Sequence, residues 1–267
     1  MIDPGTLLRK IDDAIHARTG KRLGLRPGVP EAQLRAAEAT LGRPLPEDVA
    51  RIYRAHDGAA TSMGWLGAAG AWLSLEELVA QWQQEADLAG RYGEEGGEML
   101  ATGDRIRDGA FSPDRLPLTY DELATAGAYS DLAPGPEGNI GQVIHNVSEA
   151  EYAVLASSFE DLLARYLEAL EAGRLVIEAQ DDEEYPFVLG SAPGLGFWGE
   201  WWEAVAIASP YDNPLPAPPA KKKAPAKKKA PAKKKAPAKK KAPAKKKAPA
   251  KKKAPAKALR KRAARRK

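Results

Sequence analysis

Apolar residues recur every three to four positions in five stretches of the chain, the spacing that gives a helix one apolar face. Each stretch opens with a residue that favours a helix start, either a proline or a serine. Ser74 and Glu77 also have the spacing of a capping box. The predicted helices begin near Pro4, Pro30, Pro46, Ser74 and Ser158, and four of them end at Gly20, Gly42, Gly58 and Gly173.

Two other stretches, 116–120 and 140–147, have the alternating and β-branched character of strands. The Pro- and Gly-rich residues 134–139 predict a turn that joins them. Helices and strands are interspersed without regular alternation, which favours an α+β fold over a doubly wound parallel sheet. Three weaker segments complete the pattern, with short strands expected in 65–73 and 175–177 and a polar surface excursion over 90–112.

Charge is divided unevenly along the chain. The formal net charge is +5, yet the tail, 220–267, carries 25 of the 41 Lys and Arg and none of the 36 Asp and Glu. The other 16 basic residues leave the body, 1–219, with a formal charge of −20. The chain is therefore predicted to be an acidic body that carries a basic arm.

The tail repeats the unit Ala-Pro-Ala-Lys-Lys-Lys and then ends in an Arg-rich stretch. A proline at every sixth position prevents a continuous helix, and almost nothing is apolar, so we predict an extended, disordered segment. Ammonium groups contact phosphates and not base edges, which predicts sequence-nonspecific binding to DNA or RNA. The residues assigned to this contact are Lys221, Lys222, Lys223, Lys227, Lys228, Lys229, Lys233, Lys239, Lys245, Lys251, Arg260, Lys261, Arg262, Arg265, Arg266 and Lys267.

Several short motifs follow one another in the body: Leu-Gly, Leu-Pro, a helix that ends in Asp-Gly, and later a Gly-Gln-Val stretch and a Ser-Phe-Glu-Asp-Leu-Leu helix. Their order and spacing resemble the SUKH superfamily, which includes the fungal Smi/Knr cell-wall assembly regulators. The residues that carry the resemblance are Glu38, Leu41, Gly42, Leu45, Pro46, Asp57, Gly58, Asp131, Gly141, Val143 and Phe159.

The resemblance covers roughly 26–173 and implies an α+β domain in which helices cover a mainly antiparallel sheet. It also implies a protein-binding role, and bacterial members are widely associated with immunity against toxins. Most signature positions suit a structural role, because Leu41, Leu45 and Phe159 have the character of core residues. The tail is not part of the family pattern and resembles the C-terminal tails of linker histones instead.

The expected organisation has five parts. One part contains Trp198, Trp201 and Trp202 close together in sequence. We favour packing of these aromatic side chains on the body over a partner-binding surface. The parts are an N-terminal helix (1–25), a SUKH-like domain (26–178), a Trp-rich extension packed on the body (179–212), a Pro-rich linker (213–219) and the disordered tail (220–267).

Motifs for catalysis or cofactor binding are weak. Residues 194–199 match G-x-G-x-x-G, but the strand, helix and acidic residue of a dinucleotide site do not follow. His16, His56 and His145 are scattered, and the chain has no Cys, which excludes thiolate metal sites and cysteine nucleophiles. We expect no enzyme activity, no metal, no cofactor and no small-molecule substrate.

The N-terminus lacks a signal peptide and no apolar run is long enough to span a bilayer, so we expect a cytoplasmic or nucleoid-associated protein without a membrane partner. The favoured function is a protein-interaction module, for a toxin or a regulatory protein, with a nucleic-acid-binding tail. Alternatives are a nucleoid-associated architectural protein, an enzyme acting on nucleic acid, a tail that only increases solubility, and a tail that lies on the acidic body.

Overall fold

The computed structural model describes residues 3–60, 71–92, 103–107, 109, 111–120, 127–148, 151–181, 187–191 and 201–208. The chain divides into two units, Met1–Pro218 and Pro219–Lys267, and every described residue belongs to the first unit. The predicted linker and tail therefore lie outside the described residues.

The described residues form five α-helices, and all five were predicted by the apolar periodicity. Helices α2 and α3 each begin one residue later than predicted, because Pro30 and Pro46 serve as N-caps and lie outside the helices themselves. The helices are α1 Pro4–Thr19, α2 Glu31–Leu41, α3 Glu47–Ala55, α4 Leu75–Tyr92 and α5 Phe159–Glu171, with short 3-10 helices at Gly103–Arg105 and Trp201–Ala204.

Side-chain caps explain where three of these helices start. The Asp3 carboxylate accepts a bond from a first-turn amide of α1 at 2.9 Å, and the Ser158 hydroxyl accepts one in α5 at 3.1 Å. The predicted capping box is confirmed, since the Ser74 amide donates to Glu77 Oε2 at 2.7 Å and the Glu77 amide donates to Ser74 Oγ at 3.2 Å. Each such cap contributes about 1 kcal/mol to stability.

All the strand pairs in the described part of the chain are antiparallel, which confirms the α+β prediction. The largest sheet has the order β4-β6-β7-β8, and three further sheets pair β1 with β2, β3 with β5, and β9 with β10. The strands are β1 Leu25–Pro27, β2 His56–Ala59, β3 Ala71–Trp72, β4 Arg115–Pro117, β5 Thr119–Tyr120, β6 Ala128–Asp131, β7 Gln142–Ser148, β8 Glu151–Ala156, β9 Leu175–Ala179 and β10 Phe187–Ser191.

The strands differ from the sequence prediction in three ways. Ile140 is 79% exposed and precedes β7, although it was predicted to open this strand. The turn at 134–139 joins β6 to β7, and β6 itself was not predicted because Ala-Tyr-Ser-Asp has neither apolar alternation nor an apolar run. Strand β8 was also missed, because its central residues are buried on both faces and so do not alternate.

Both faces of the four-stranded sheet are covered. On the inner face, Leu116, Val143 and Leu155 join the main core, which also contains the apolar sides of α1, α3 and α5. On the outer face, Ile144 and the aligned residues of β8 form a second, smaller core. Ile106 is buried in this second core, so the prediction that 90–112 only runs over the surface is wrong at that position.

Three aromatic rings connect the elements of the main core. Trp72 lies with its ring centre 6.0 Å from that of Tyr53 and 6.1 Å from that of Phe159, the latter in an edge-on arrangement. Aromatic pairs at these distances contribute about 0.5–1.5 kcal/mol beyond the burial of their area. The Tyr53 hydroxyl is satisfied by donating to the Leu73 carbonyl at 2.9 Å. Together the rings hold α3, β3 and α5 in contact.

The segment 201–208 belongs to the same body. Trp202 and Val205 are buried in the main core, and Ile207 packs against the smaller core on the outer face. Ala208 bridges to Val154 on the free edge of β8, where its amide and carbonyl both bond that residue. Trp202 therefore has a packing role, whereas Trp198 lies outside the described residues.

Gly58 lies where two stretches of backbone come close together. Its φ is +72°, and a Cβ at this position would lie 2.8 Å from the carbonyl oxygen of Trp72. The predicted role of Gly58 as a helix end is wrong, because α3 ends at Ala55 and Gly58 is part of β2. Only glycine combines this backbone conformation with so short an approach.

We predict that Gly58→Ala lowers the free energy of unfolding by more than about 2 kcal/mol, since a left-handed conformation alone costs about 1–2 kcal/mol in a residue with a Cβ. The matched control is Gly20→Ala, because Gly20 has the same φ of +72° and no atom within 4 Å of the added Cβ. Urea denaturation followed by tryptophan fluorescence measures both. Equal losses in the two variants would contradict a steric role for Gly58.

Candidate functional site

The residues assigned to nucleic-acid binding, from Lys221 to Lys267, all lie outside the described residues. The same holds for the glycine-rich stretch 194–199. Tail binding therefore stays a prediction. The family-signature residues, in contrast, are all described, and their positions separate structural roles from candidate functional ones.

The first group of signature residues builds the turn between α2 and α3. Glu38 Oε1 accepts a bond from the Leu45 amide at 3.0 Å, across the turn that begins at Gly42. Leu41 and Leu45 are buried in the main core, and Pro46 caps α3. Each of these residues therefore contributes to the turn or to the core beside it.

A second group fixes the start of α5. The Phe159 amide donates to Asp48 Oδ2 at 2.7 Å, and Phe159 itself is fully buried. Arg51, one turn after Asp48 in α3, forms an ion pair at 2.5 Å with Glu160, the residue that follows Phe159. The N-termini of α3 and α5 are thus joined by a carboxylate–amide bond and a salt bridge, although the two elements are more than a hundred residues apart in sequence.

Asp57 links β2 to α4. Its Oδ1 accepts a bond from the Leu75 amide at 2.7 Å, at the first residue of the helix. A carboxylate at this position is stabilised by the helix dipole. Asp57 also lines an open groove of about 310 Å³ between α2 and α4. It therefore lies at the surface as well as at the contact between β2 and α4.

Asp131 and Gly141 belong to the β6–β7 connection. The Gly141 amide donates to the Asp131 carbonyl at 2.7 Å, and the Gln142 side chain donates to Asp131 Oδ2 at 3.1 Å and to the Arg105 carbonyl at 2.8 Å. Val143 follows on the inner face of the sheet and is fully buried. Gln142 therefore connects the sheet to the segment that covers its outer face.

A buried polar cluster on the outer face of the sheet was not predicted from the sequence. Pairing of the strands aligns Arg115 with Asp131 and Asp131 with Gln142, so the three side chains share one face. Their exposures are only 4%, 3% and 1%. We call the following set the outer-face cluster: Glu85, Arg115, Tyr129, Asp131, Gln142 and Tyr152.

Arg115 is the centre of this cluster. Its guanidinium donates to the carbonyls of Arg107 and Gly109, at 2.8 and 2.6 Å, and stacks 4.8 Å from the centre of the Tyr152 ring. Charge-assisted bonds to backbone carbonyls are about twice as strong as neutral ones, and the aromatic face adds cation–π attraction. Arg115 therefore holds the covering segment on the sheet.

Glu85 reaches the cluster from α4. Burial raises its pKa to about 7, while hydrogen bonds to Gln81 and Tyr129 and the charge of Arg115 act in the opposite direction. Burial also raises the pKa of Asp131. Glu85 lies seven residues after Leu78 on the apolar side of the helix, so a carboxylate at a core-facing position was the sequence signal that could have revealed the cluster.

An open cavity of about 500 Å³ adjoins the cluster. Arg115 and Asp131 line it together with residues of α4 and of the 107–114 segment. Cations and carboxylates are both present, and Asp114 is already paired with Arg43 at 2.7 Å. The charged groups that line the cavity are therefore of both signs.

The histidines have structural surroundings. His145 is buried on the inner face of the sheet near the Gly127 carbonyl, at 3.1 Å, and burial lowers its pKa to about 4. His56 Nδ1 lies 3.0 Å from the Arg26 carbonyl. Within the described ranges, no group of three or more His, Asp or Glu side chains is placed to hold a metal ion.

We predict that Glu85→Gln becomes more stable relative to the unchanged chain as pH rises. Between the ordinary pKa of 4.5 and the folded value of about 7, the folded state keeps a proton that the unfolded state releases, so stability falls with rising pH. Glutamine does not titrate, and the difference in unfolding free energy should grow by about 2–3 kcal/mol from pH 5 to pH 8.

Urea denaturation at a series of pH values measures this difference in unfolding free energy. The titration of His145 does not contribute to it, because both chains contain that residue. Glu171→Gln, on the exposed side of α5, is the control and should show a flat difference. A flat difference for Glu85→Gln as well would contradict a buried carboxyl group.

A known protein family matches the middle of the chain. The model of the SMI1 / KNR4 family (SUKH-1) matches residues 28–165, from the approach to α2 into α5. No curated protein matches the chain. No helix in the described ranges is long and apolar enough to cross a membrane. Because the family match spans more than half of the 267 residues, and includes the whole four-stranded sheet, the chain belongs to the SMI1 / KNR4 family (SUKH-1).

Proposed function

We propose that this chain is a non-enzymatic protein-binding module of the SUKH type whose C-terminal tail holds it on nucleic acid. The observation that carries the proposal is the division of charge, with 25 basic residues and no acidic ones in the tail and a formal charge of −20 in the body. Two oppositely charged parts of one chain attract different classes of partner.

Most of the basic residues of the body are bound to other groups of the body. Several of its arginines form ion pairs with carboxylates of the body, and Arg115 is bound to backbone carbonyls. Arg18 and Lys21 likewise donate to the carbonyls of Leu170 and Gln180. The paired arginines are Arg22, Arg26, Arg43, Arg51, Arg54, Arg91, Arg165 and Arg174. These groups would have to leave a carboxylate or carbonyl to contact a phosphate.

The tail contains no Asp or Glu, so no carboxylate of its own competes with phosphate for its ammonium groups. Each ammonium group that neutralises a phosphate releases a condensed counterion, so binding depends steeply on salt. With about ten contacts, log K falls with log salt at a slope near −9, and affinity drops on the order of 10⁵-fold between 50 and 200 mM salt. Contacts of this kind carry no sequence information.

The protein partner is proposed from the family and from the charge of the body. Members of the family are interaction modules, and bacterial members are widely associated with immunity against toxins. A surplus of carboxylates favours a cationic partner, either a basic toxin or a basic regulatory protein. In this arrangement the body selects the protein, and the tail concentrates the complex on DNA or RNA.

We predict that deleting 220–267 abolishes binding to a random-sequence DNA duplex at 50 mM salt, as measured by fluorescence anisotropy. The full chain should bind with the steep salt dependence given above. All residues of the main core lie between Leu7 and Val205, so the shortened chain keeps them, and circular dichroism checks that it is folded.

Two further chains serve as matched controls. A tail with the same residues in shuffled order should bind equally well, and a tail in which glutamine replaces every Lys and Arg should not bind. Equal binding by the shortened chain would exclude the tail as the binding element. No binding by the full chain would leave the tail as a solubilising appendage and overturn the proposal.

A further inference from the structure

The groove between α2 and α4 combines an apolar floor with an acidic rim. Small or aliphatic side chains form the floor, and Asp57 and Glu76 provide the two carboxylates. Its volume is about 310 Å³, and it is open to solvent. The lining residues are Gln33, Ala36, Ala37, Thr40, Asp57, Leu75, Glu76 and Val79.

Small residues on α2 create the groove. Gln33, Ala36, Ala37 and Thr40 recur at helical spacing, so they follow one face of the helix towards α4. Larger side chains at the two alanines would fill the space between the helices. The floor is continued from the α4 side by Leu75 and Val79.

The two carboxylates have unused hydrogen-bonding capacity. Asp57 Oδ1 accepts from the Leu75 amide at 2.7 Å, whereas no bond from the described residues reaches Oδ2. Glu76 is exposed, and within the same part of the chain it forms no hydrogen bond or ion pair. The neighbouring Glu77, in contrast, is paired with Arg26 at 3.2 Å and closes the capping box.

We propose that this groove binds an arginine side chain of the partner protein. The aliphatic stem of arginine would lie along Ala37, Leu75 and Val79, and its guanidinium would meet the carboxylates of Asp57 and Glu76. Long cationic side chains bury their stems on apolar surface and keep the charged head at a polar rim, as this groove requires. The proposal rests on the protein-binding role of the body and specifies its partner chemistry.

Arginine fits the rim better than lysine does. Its planar fork donates in parallel to carboxylate oxygens, whereas the ammonium group of lysine is a compact, strongly hydrated point charge. Arginine is also enriched among the residues that dominate binding energy at protein interfaces. The net charge of the body raises the local concentration of such cationic groups.

The test uses N-acetyl-L-arginine methylamide as the probe and NMR of the full chain as the measurement, repeated on the chain that ends at Pro219. We expect shifts confined to resonances of 33–40, Asp57 and 75–79, with a dissociation constant of about 1–10 mM, the range of a single-side-chain contact. The uncharged citrulline analogue should cause no shift at the same concentrations. The lysine analogue should bind several-fold more weakly.

The matched variants remove charge and preserve structure. Asp57→Asn keeps an oxygen that accepts from the Leu75 amide, since asparagine caps helices as well as aspartate does. Combined with Glu76→Gln, it should weaken binding of the probe at least tenfold. The control, Glu171→Gln with Glu178→Gln, removes the same charge from exposed positions outside the groove and should leave binding unchanged.

Three results would overturn the proposal: equal weakening in the two double variants, shifts spread over the whole acidic surface, or equal affinity for the lysine analogue. The probe carries no phosphate, so its binding is independent of the tail experiment. If the full chain does not bind DNA but does bind the arginine probe, the tail proposal alone is rejected. If the full chain binds DNA but does not bind the arginine probe, the groove proposal alone is rejected.

Discussion

Both faces of the four-stranded sheet are buried, and the fold depends on covering each of them. Helix α5 packs on the inner face, and α1 and α3 pack against α5 in the main core. Among the described residues, the outer face is covered by the segments 103–107 and 201–208 and by Glu85 of α4. Arg115 holds the first of these segments by bonds to the carbonyls of Arg107 and Gly109. Helix α1 and the 201–208 segment lie outside the family match, yet they supply core residues such as Leu8 and Trp202.

The acidic composition has a structural function as well as an electrostatic one. Four carboxylates accept bonds from backbone amides distant in sequence, at 2.7 to 3.0 Å, and each joins two elements or an element and a loop. Such charge-assisted bonds are stronger than neutral ones and position the helices relative to the strands. The pairs are Asp12 with Leu23, Glu38 with Leu45, Asp48 with Phe159 and Asp57 with Leu75.

Local signals predicted the helices, because caps and periodicity depend on residues within one or two turns. Strand β6 and the outer-face cluster depend on pairing between distant segments, and no local pattern marks Arg115 as buried. The family resemblance placed Asp57 and Asp131 among the signature residues, but their roles became clear only from their contacts. The groove between α2 and α4 could not be predicted, since it depends on how two helices pack. The reverse holds for the tail, whose positive charge follows from composition alone.

The bridge between Ala208 and Val154 occupies the middle of the outermost strand of the main sheet. An open strand edge is a template on which a second molecule can add its own strand, and folded proteins commonly block such edges. Here the amide and carbonyl of Val154 are already bonded to 207–208, so edge-to-edge growth is obstructed at the centre of β8. The segment that follows the family match thus occupies hydrogen-bonding groups at the centre of this strand edge as well as completing the core.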